Sequence, residues 1–259
     1  METLNGSKVV VIGGSSGIGL AVAKQALADG AEVTIASRNI DKLNRANKLL
    51  GDKASIETVD ATSAEAVQQL YARVGNFDHL AVTTHDAGEP LSGAMRPLAD
   101  IDLDLADKYF RSRFWAKFLC TKFAIPYLSE RGSIVLTSGV VARGYVPNHS
   151  LLAGNNAAVE SFARKVAIEI GPKRINVVSP GLTQGTETYL NVPDDAEAAM
   201  ISFFEHNLPV QFVATADDIA PTYLFCMRNS YMTGVFIDVD GGFNVWDPEK
   251  QKEGSFEAH

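Results

Sequence analysis

The sequence has little that would mark it for export, for a membrane or for nucleic acid. Its two cysteines, Cys120 and Cys226, lie far apart inside apolar periodic segments. That usage gives neither a disulfide framework nor zinc-site spacing, so each reads as a small buried hydrophobe and no metal site is expected. No stretch approaches the roughly 18 consecutive apolar residues of a membrane-spanning helix, and the first strand, starting at about Lys8, leaves no room for a signal peptide. The 23 Lys and Arg are outnumbered by 31 Asp and Glu, for a net charge of −8, and form no basic cluster. Phosphate backbones and anionic lipid would be repelled. Repeats, linkers and low-complexity runs are also missing. The expectation is a cytoplasmic chain with neither nucleic-acid nor membrane partners, folded as one domain over residues 1–259, whose 46% hydrophobic content suffices for a large core.

What is present is an alternation. Short β-branched runs, "KVVVI" at 8, "AEVTIAS" at 31, "ASIETV" at 54, "DHLAVTT" at 78, "GSIVLTS" at 132, "RINVVS" at 174 and "GVFIDV" at 234, are separated by amphipathic segments. The helical segments are read at about 17–29, 41–50, 63–74, 102–128, 150–170 and 217–228. In the fifth, Val159, Phe162, Val166 and Ile170 recur at spacings of three and four and make one stripe for packing on a sheet. Strands apolar on both faces alternating with helices predict an α/β fold, a doubly wound Rossmann-type parallel sheet of about seven strands with helices on both faces. The longest break, at about 181–215, holds Tyr189, Phe203, Phe204 and His206 after the sixth strand, where such sheets place ligands. It reads as a substrate lid or as a pair of short helices. From about 247 the chain reads as a flexible tail.

"VVVIGGSSGIGLAVAKQALADG" sets Gly13, Gly17 and Gly19 directly after a strand and at the head of a helix. Glycines there let the backbone approach a pyrophosphate, whose charge meets the free amides of the helix N-terminus. The second strand ends in "IASRN", which offers no carboxylate to hold a ribose 2′-hydroxyl. Arg38 can pair with a 2′-phosphate and stack on the adenine, and Ser37 leaves that phosphate room, so NADP(H) is favoured over NAD(H).

With Asp60 after the third strand, "VVSPG" after the sixth and "DVDGG" near the end, this turn resembles the short-chain dehydrogenase/reductase family, over about residues 5–245. The resemblance implies a Rossmann domain with a dinucleotide across the strand ends, met by Gly13, Ser15, Ser16, Gly17, Ile18, Gly19, Ala61, Thr83, Pro180, Gly181 and Thr183. Asp60 would hold the adenine amino group. It also implies a homodimer or homotetramer formed through the fourth, fifth and last helices. Where the family usually has Asn-Asn-Ala-Gly after the fourth strand, this chain reads "VTTHDAG", with Asp86, Ala87 and Gly88 shifted by three.

Aligning "AAVE" at 157 with the family puts its Tyr-x-x-x-Lys on Leu152 and Asn156; its serine, one residue after Ser138, falls on Gly139, and its helix asparagine on Arg113. Reduction of a ketone needs a proton donor, and Leu152 cannot be one. Asn156 has no charge to tune a neighbour, and Arg113 donates hydrogen bonds but stays protonated. The candidates for the chemistry are Arg113, Ser138, His149 and Asn156, with Tyr145 and Tyr189 as further donors. His149 faces the cleft or is a solvated loop histidine. Arg113 pairs with cofactor phosphate, an acidic ligand or Asp86, or else makes an intrahelical or inter-subunit ion pair. An iminium acceptor would remove the need for an acid, because hydride neutralises its charge and no oxyanion forms. Three functions stay open for a small-molecule substrate: an NADP(H)-dependent reductase with an atypical site, a non-redox cyclase or isomerase that uses NADP structurally, and an inactive NADP-binding sensor or partner.

Overall fold

The β-branched runs become strands because both faces of each are covered. The structure is a computed structural model and describes residues 3–84, 91–144, 146–186 and 194–246. In chain order it runs β1 (Lys8–Ile12), α1 (Gly17–Ala28), β2 (Glu32–Ser37), α2 (Ile40–Leu49), β3 (Ser55–Thr58), α3 (Ala64–Val74), β4 (Phe77–Val82), α4 (Leu91–Ala94) and α5 (Leu103–Phe110). It continues through a π turn (Arg111–Trp115) to α6 (Ala116–Ala124), β5 (Leu128–Thr137), α7 (Ser150–Glu169), β6 (Arg174–Pro180), β7 (Thr183–Gln184), α8 (Asp194–Asn207), β8 (Ala214–Thr215), α9 (Ala216–Arg228) and β9 (Phe236–Val239).

Seven strands pair in the order β3-β2-β1-β4-β5-β6-β9, parallel throughout, as the alternation predicts. Along β1 the period of two divides the core: Val9 and Val11 face the layer of α1, α2 and α9, Val10 and Ile12 the layer of α3, α6 and α7. Burying each such side chain is worth about 1.5–3 kcal/mol. Cys226 lies in the first layer and Cys120 in the second, both free and buried. The chain changes direction across the sheet between β1 and β4, so a crevice opens beyond their carboxyl ends.

Two elements differ from the sequence reading. The helix expected at 102–128 is α5, capped by Asp102 through Leu105 N at 2.8 Å, then the π turn, then α6, which stops before Pro126. Residue 128 already belongs to β5 and pairs with Phe77 before the register shifts. Segment 181–215 holds the two-stranded parallel pair β7–β8 and the 14-residue helix α8. Of the expected lid, 187–193, including Tyr189, lie outside the described residues, as do Tyr145 and residues 85–90 and 247–259. Among the described residues no helix is long and apolar enough to cross a membrane, and no group of three or more His, Cys, Asp or Glu could hold a metal ion.

Candidate active site

The crevice is a cleft of about 720 Å³ running from the end of β2 to the floor formed by α7. At its centre the chain leaves β1 through Gly13, whose φ of +94° suits glycine and where a Cβ would stand 2.5 Å from Thr83 Oγ1. A Cβ on Gly19 would lie 2.2 Å from the Gly13 carbonyl oxygen. Gly13 is therefore fixed by the close approach of Thr83, just past β4, and Gly19 by that of the Gly13 carbonyl. At Gly17, by contrast, where φ is +50°, a Cβ would make only ordinary contact, with Thr186 at 3.6 Å. Ser16 caps that helix with extended backbone and no side-chain bond, and no acidic residue stands in the first turn. The first amides of α1 thus form an uncovered anion cradle.

Towards β2 and β3 the cleft is lined by Ser37, Arg38, Asn39, Lys42, Asp60 and Ala61. The Ser37 hydroxyl is buried without a hydrogen-bond partner. Asn39 caps α2 by accepting from Lys42 N at 3.0 Å, which brings a second cation to the end that Arg38 occupies. Asp60 accepts from Thr62 N and Oγ1 at 2.9 and 2.7 Å, so its carboxylate is turned along its own loop. A close-packed glycine turn, an orphaned hydroxyl and a cationic end together fit a dinucleotide.

At the other end Tyr109, Arg113 and Lys117 share one wall, spaced by fours across the π turn. Arg113 is 8% exposed and its guanidinium lies over the Tyr109 ring, 3.8 Å from the centroid. Burial raises the Tyr109 phenol against the opposing pull of Arg113. Lys117 Nζ donates to the carbonyls of Thr84 at 3.0 Å and Arg113 at 3.3 Å. Burial, reinforced by Arg113 and opposed by Cys120, lowers this amine to about 7.

Leu152, Asn155 and Asn156 of α7 make the facing floor, with Gly139 beneath. Asn156 fills the space a side chain at 139 would need, since a Cβ there would stand 2.8 Å from its Nδ2. Asn155 donates to Asn156 Oδ1 at 3.4 Å, while its own Oδ1 is buried without a partner. The Ser138 hydroxyl sits 2.9 Å from Glu160 Oε1 and 3.3 Å from the Asn156 carbonyl oxygen, both acceptors. Glu160 also accepts from Ser179 at 3.0 Å and pairs with Arg143, which reaches on to Asp238. His149, half-buried before α7, donates from Nδ1 to the Pro147 carbonyl at 2.7 Å, which leaves Nε2 for the cleft. Met200 and Phe204 of α8 and Phe243 close the apolar side, and the Phe204 and Phe243 rings meet at 6.0 Å.

The structure thus brings Arg113, Ser138, His149 and Asn156 into one cleft with Gly13, Ser15, Ser16, Gly17, Ile18, Gly19, Ser37, Arg38, Asp60, Ala61, Thr83, Pro180, Gly181 and Thr183. His149 lines the cleft from the loop before α7, and its bond to the Pro147 carbonyl is exposed. Asp86, offered as a partner of Arg113, lies outside the described residues. Sequence reasoning missed Lys42, Tyr109, Lys117 and Asn155. Position gives a signal for one of them, since Lys42 follows Arg38 by four residues.

A family model described as enoyl-(acyl carrier protein) reductase matches residues 12–244. The chain is 29% identical to the short-chain dehydrogenase/reductase ATR9 of Stachybotrys chlorohalonatus, over 93% of this chain and 98% of that protein. Among solved structures it is similar to a small-chain dehydrogenase in complex with NADPH, at 35% identity and a TM-score of 0.79 over 93% of this chain and 100% of that one. It is also similar to the MalC reductase/Diels-Alderase from Malbranchea aurantiaca, at 28% identity and a TM-score of 0.82 over 93% and 98%.

Proposed function

Because the chain belongs to the short-chain dehydrogenase/reductase family, we propose that it is an NADP(H)-dependent reductase of a small molecule, with a site that departs from the family's phenol–ammonium pair. One observation carries the reading: a single cleft joins the glycine cradle and its cationic end to a floor lined by Leu152 and Asn156, the positions to which the family resemblance assigns that pair. Arg38, Lys42 and the orphaned Ser37 hydroxyl support NADP(H) over NAD(H), because a 2′-phosphate matches their charge and fills the open bond. The relative solved with NADPH adds to that support.

NADPH, when bound, supplies hydride. The protein's own residues then have to hold an activated acceptor, such as an iminium ion, an enone or a diketone. Met200, Phe204 and Phe243 give such a molecule an apolar wall, and Arg113 and Asn155 give it donors for orientation. The same reading makes the protein a cytoplasmic homodimer or homotetramer. Trp115, 49% exposed beside the Phe114 and Phe118 rings, supports a subunit contact there.

A second reading, a cyclase or isomerase in which NADP only shapes the pocket, is favoured by the name of MalC, a reductase and Diels-Alderase. One experiment separates the two. NADPH oxidation is followed with cyclic iminium ions, enones and diketones, alongside affinity for NADPH and NADH. The reductase reading expects NADPH to bind about tenfold tighter or more and at least one acceptor to consume it. Bound NADPH with silence across the panel removes that reading, and product formed equally with NADP+ and NADPH supports the cyclase.

A further inference from the structure

Lys117 is 4% exposed on the wall opposite Leu152, and its partners are two neutral carbonyls, those of Thr84 and Arg113. None of the ion pairs among the described residues includes it. An ammonium has three N–H donors, so one is left for the cleft. Packing does not explain the amine, because a methionine of similar length would fill the same volume with no charge to desolvate. Two more groups on the same lining are buried without hydrogen-bond partners, Thr84 Oγ1 and Asn155 Oδ1. An amine, a hydroxyl and an amide oxygen thus stand along one cleft with hydrogen-bonding capacity left over.

We propose that Lys117 is the proton donor of this site and that the cleft takes a carbonyl, or a carbonyl conjugated to a double bond. The inference rests on the reductase reading above. As a C–H bond forms at the acceptor carbon with the electron pair of the hydride that reduced dinucleotide supplies, the C=O π pair moves onto oxygen. There an O–H bond forms from an Nζ–H of Lys117. The amine left behind is neutral and recovers its proton from solvent.

Other groups on the wall are less suited: the Arg113 guanidinium does not release its proton, and burial moves the Tyr109 phenol further from neutrality. Lys117, at about 7, is matched to work near neutral pH. Burial is the largest cause of that value, and the described residues supply the neighbours that modify it. Arg113 lies one turn before it and the Cys120 thiol one turn after, Tyr71 of α3 donates to the Cys120 carbonyl, and Thr84 and Asn155 are uncharged.

The test follows the Lys117 side chain by NMR in the protein without cofactor, with its resonance assigned through the backbone. In parallel, NADPH affinity and the reduction of 9,10-phenanthrenequinone, 2-cyclohexen-1-one and a cyclic iminium are measured for the natural chain, Lys117→Met and Lys117→Arg. Expected are a Lys117 titration near 7, NADPH affinity little changed in both variants, and carbonyl reduction down by about 100-fold or more in both. The natural chain's rate should fall as pH rises through 7, since the ammonium is the acid, and that limb should vanish in the variants. A Lys117 titration near the ordinary lysine value overturns the proposal whatever the turnover. So does a variant that keeps both rate and pH profile. Reduction of the iminium alone overturns it and leaves the reductase reading standing, whereas no reduction of any acceptor with NADPH bound sinks both.

Discussion

The Ser37 hydroxyl is buried at the carboxyl end of β2 with no partner, a condition that costs about 1–3 kcal/mol until something fills the bond. Its neighbours determine what that is. Arg38 follows it directly, Lys42 lies a turn into α2 on the same lining, and Asp60 is held by Thr62. Reversing one charge should therefore change cofactor choice. On the proposed NADP(H) reading, Arg38→Asp would remove a partner of the 2′-phosphate and create an acceptor for a 2′-hydroxyl, so NADPH affinity should fall by about tenfold or more while NADH gains. Fluorescence titration of both dinucleotides measures this. Unchanged NADPH affinity would place the phosphate elsewhere in the cleft, and Lys42 would be the next cation to test.

At the scale of elements, α7 and the wall from α5 to α6 face each other across the cleft, and the distribution of function between them can be exchanged. Leu152 packs with Ala94 and Tyr109, and Asn156 occupies the space above Gly139. Residues four apart lie on one helix face, so Leu152→Tyr with Asn156→Lys sets a phenol beside an ammonium that lowers its pKa. In a Lys117→Met chain this pair should restore reduction of phenanthrenequinone by about tenfold or more, a partial recovery because the pocket was not shaped around it. No recovery, with NADPH still bound, would show that the α7 face does not reach the reacting carbon. Gly139 is left unchanged in this variant, so that the exchange on α7 is read alone; a Cβ there would stand 2.8 Å from the terminal Nδ2 of Asn156. The difference between the two walls also explains what the sequence could reveal. The seven strands and the glycine turn were legible because their signals are local, β-branched runs and fixed spacings. Lys117 was not, because Lys117 and Lys122 read alike on one amphipathic segment and only burial distinguishes them: the first is enclosed and the second exposed. The π turn at Arg111–Trp115 shifts the helical phase, so counting by 3.6 residues from Asp102 does not give the buried face. β7 and β8, two residues each, are too short to show a period.

Across the whole molecule the sheet carries chemistry at its carboxyl edge and a different constraint in its interior. His79 of β4 lies in register with Ser133 of β5, 8% exposed, with Nδ1 2.8 Å from the Ser133 hydroxyl oxygen. Burial holds its imidazole neutral and lowers it from 6.5 to about 4; Asp78 opposes the shift and Arg174, from β6, adds to it. The unfolded chain takes up this proton below about 6.5, whereas the native chain refuses it until about 4, so the native state binds fewer protons throughout that window. Stability that is fully present above pH 6.5 should therefore drain away as pH falls towards 4, by up to about 3 kcal/mol from this residue. Urea unfolding at pH 7 and pH 4.5 measures the loss, and His79→Asn, which keeps a polar partner for Ser133 without a titrating ring, separates His79 from the carboxylates that titrate in the same range. The variant should be less stable at pH 7 yet lose less on acidification. If both chains lose the same amount, the acid sensitivity of the fold lies in its surface carboxylates and the buried imidazole contributes nothing to it.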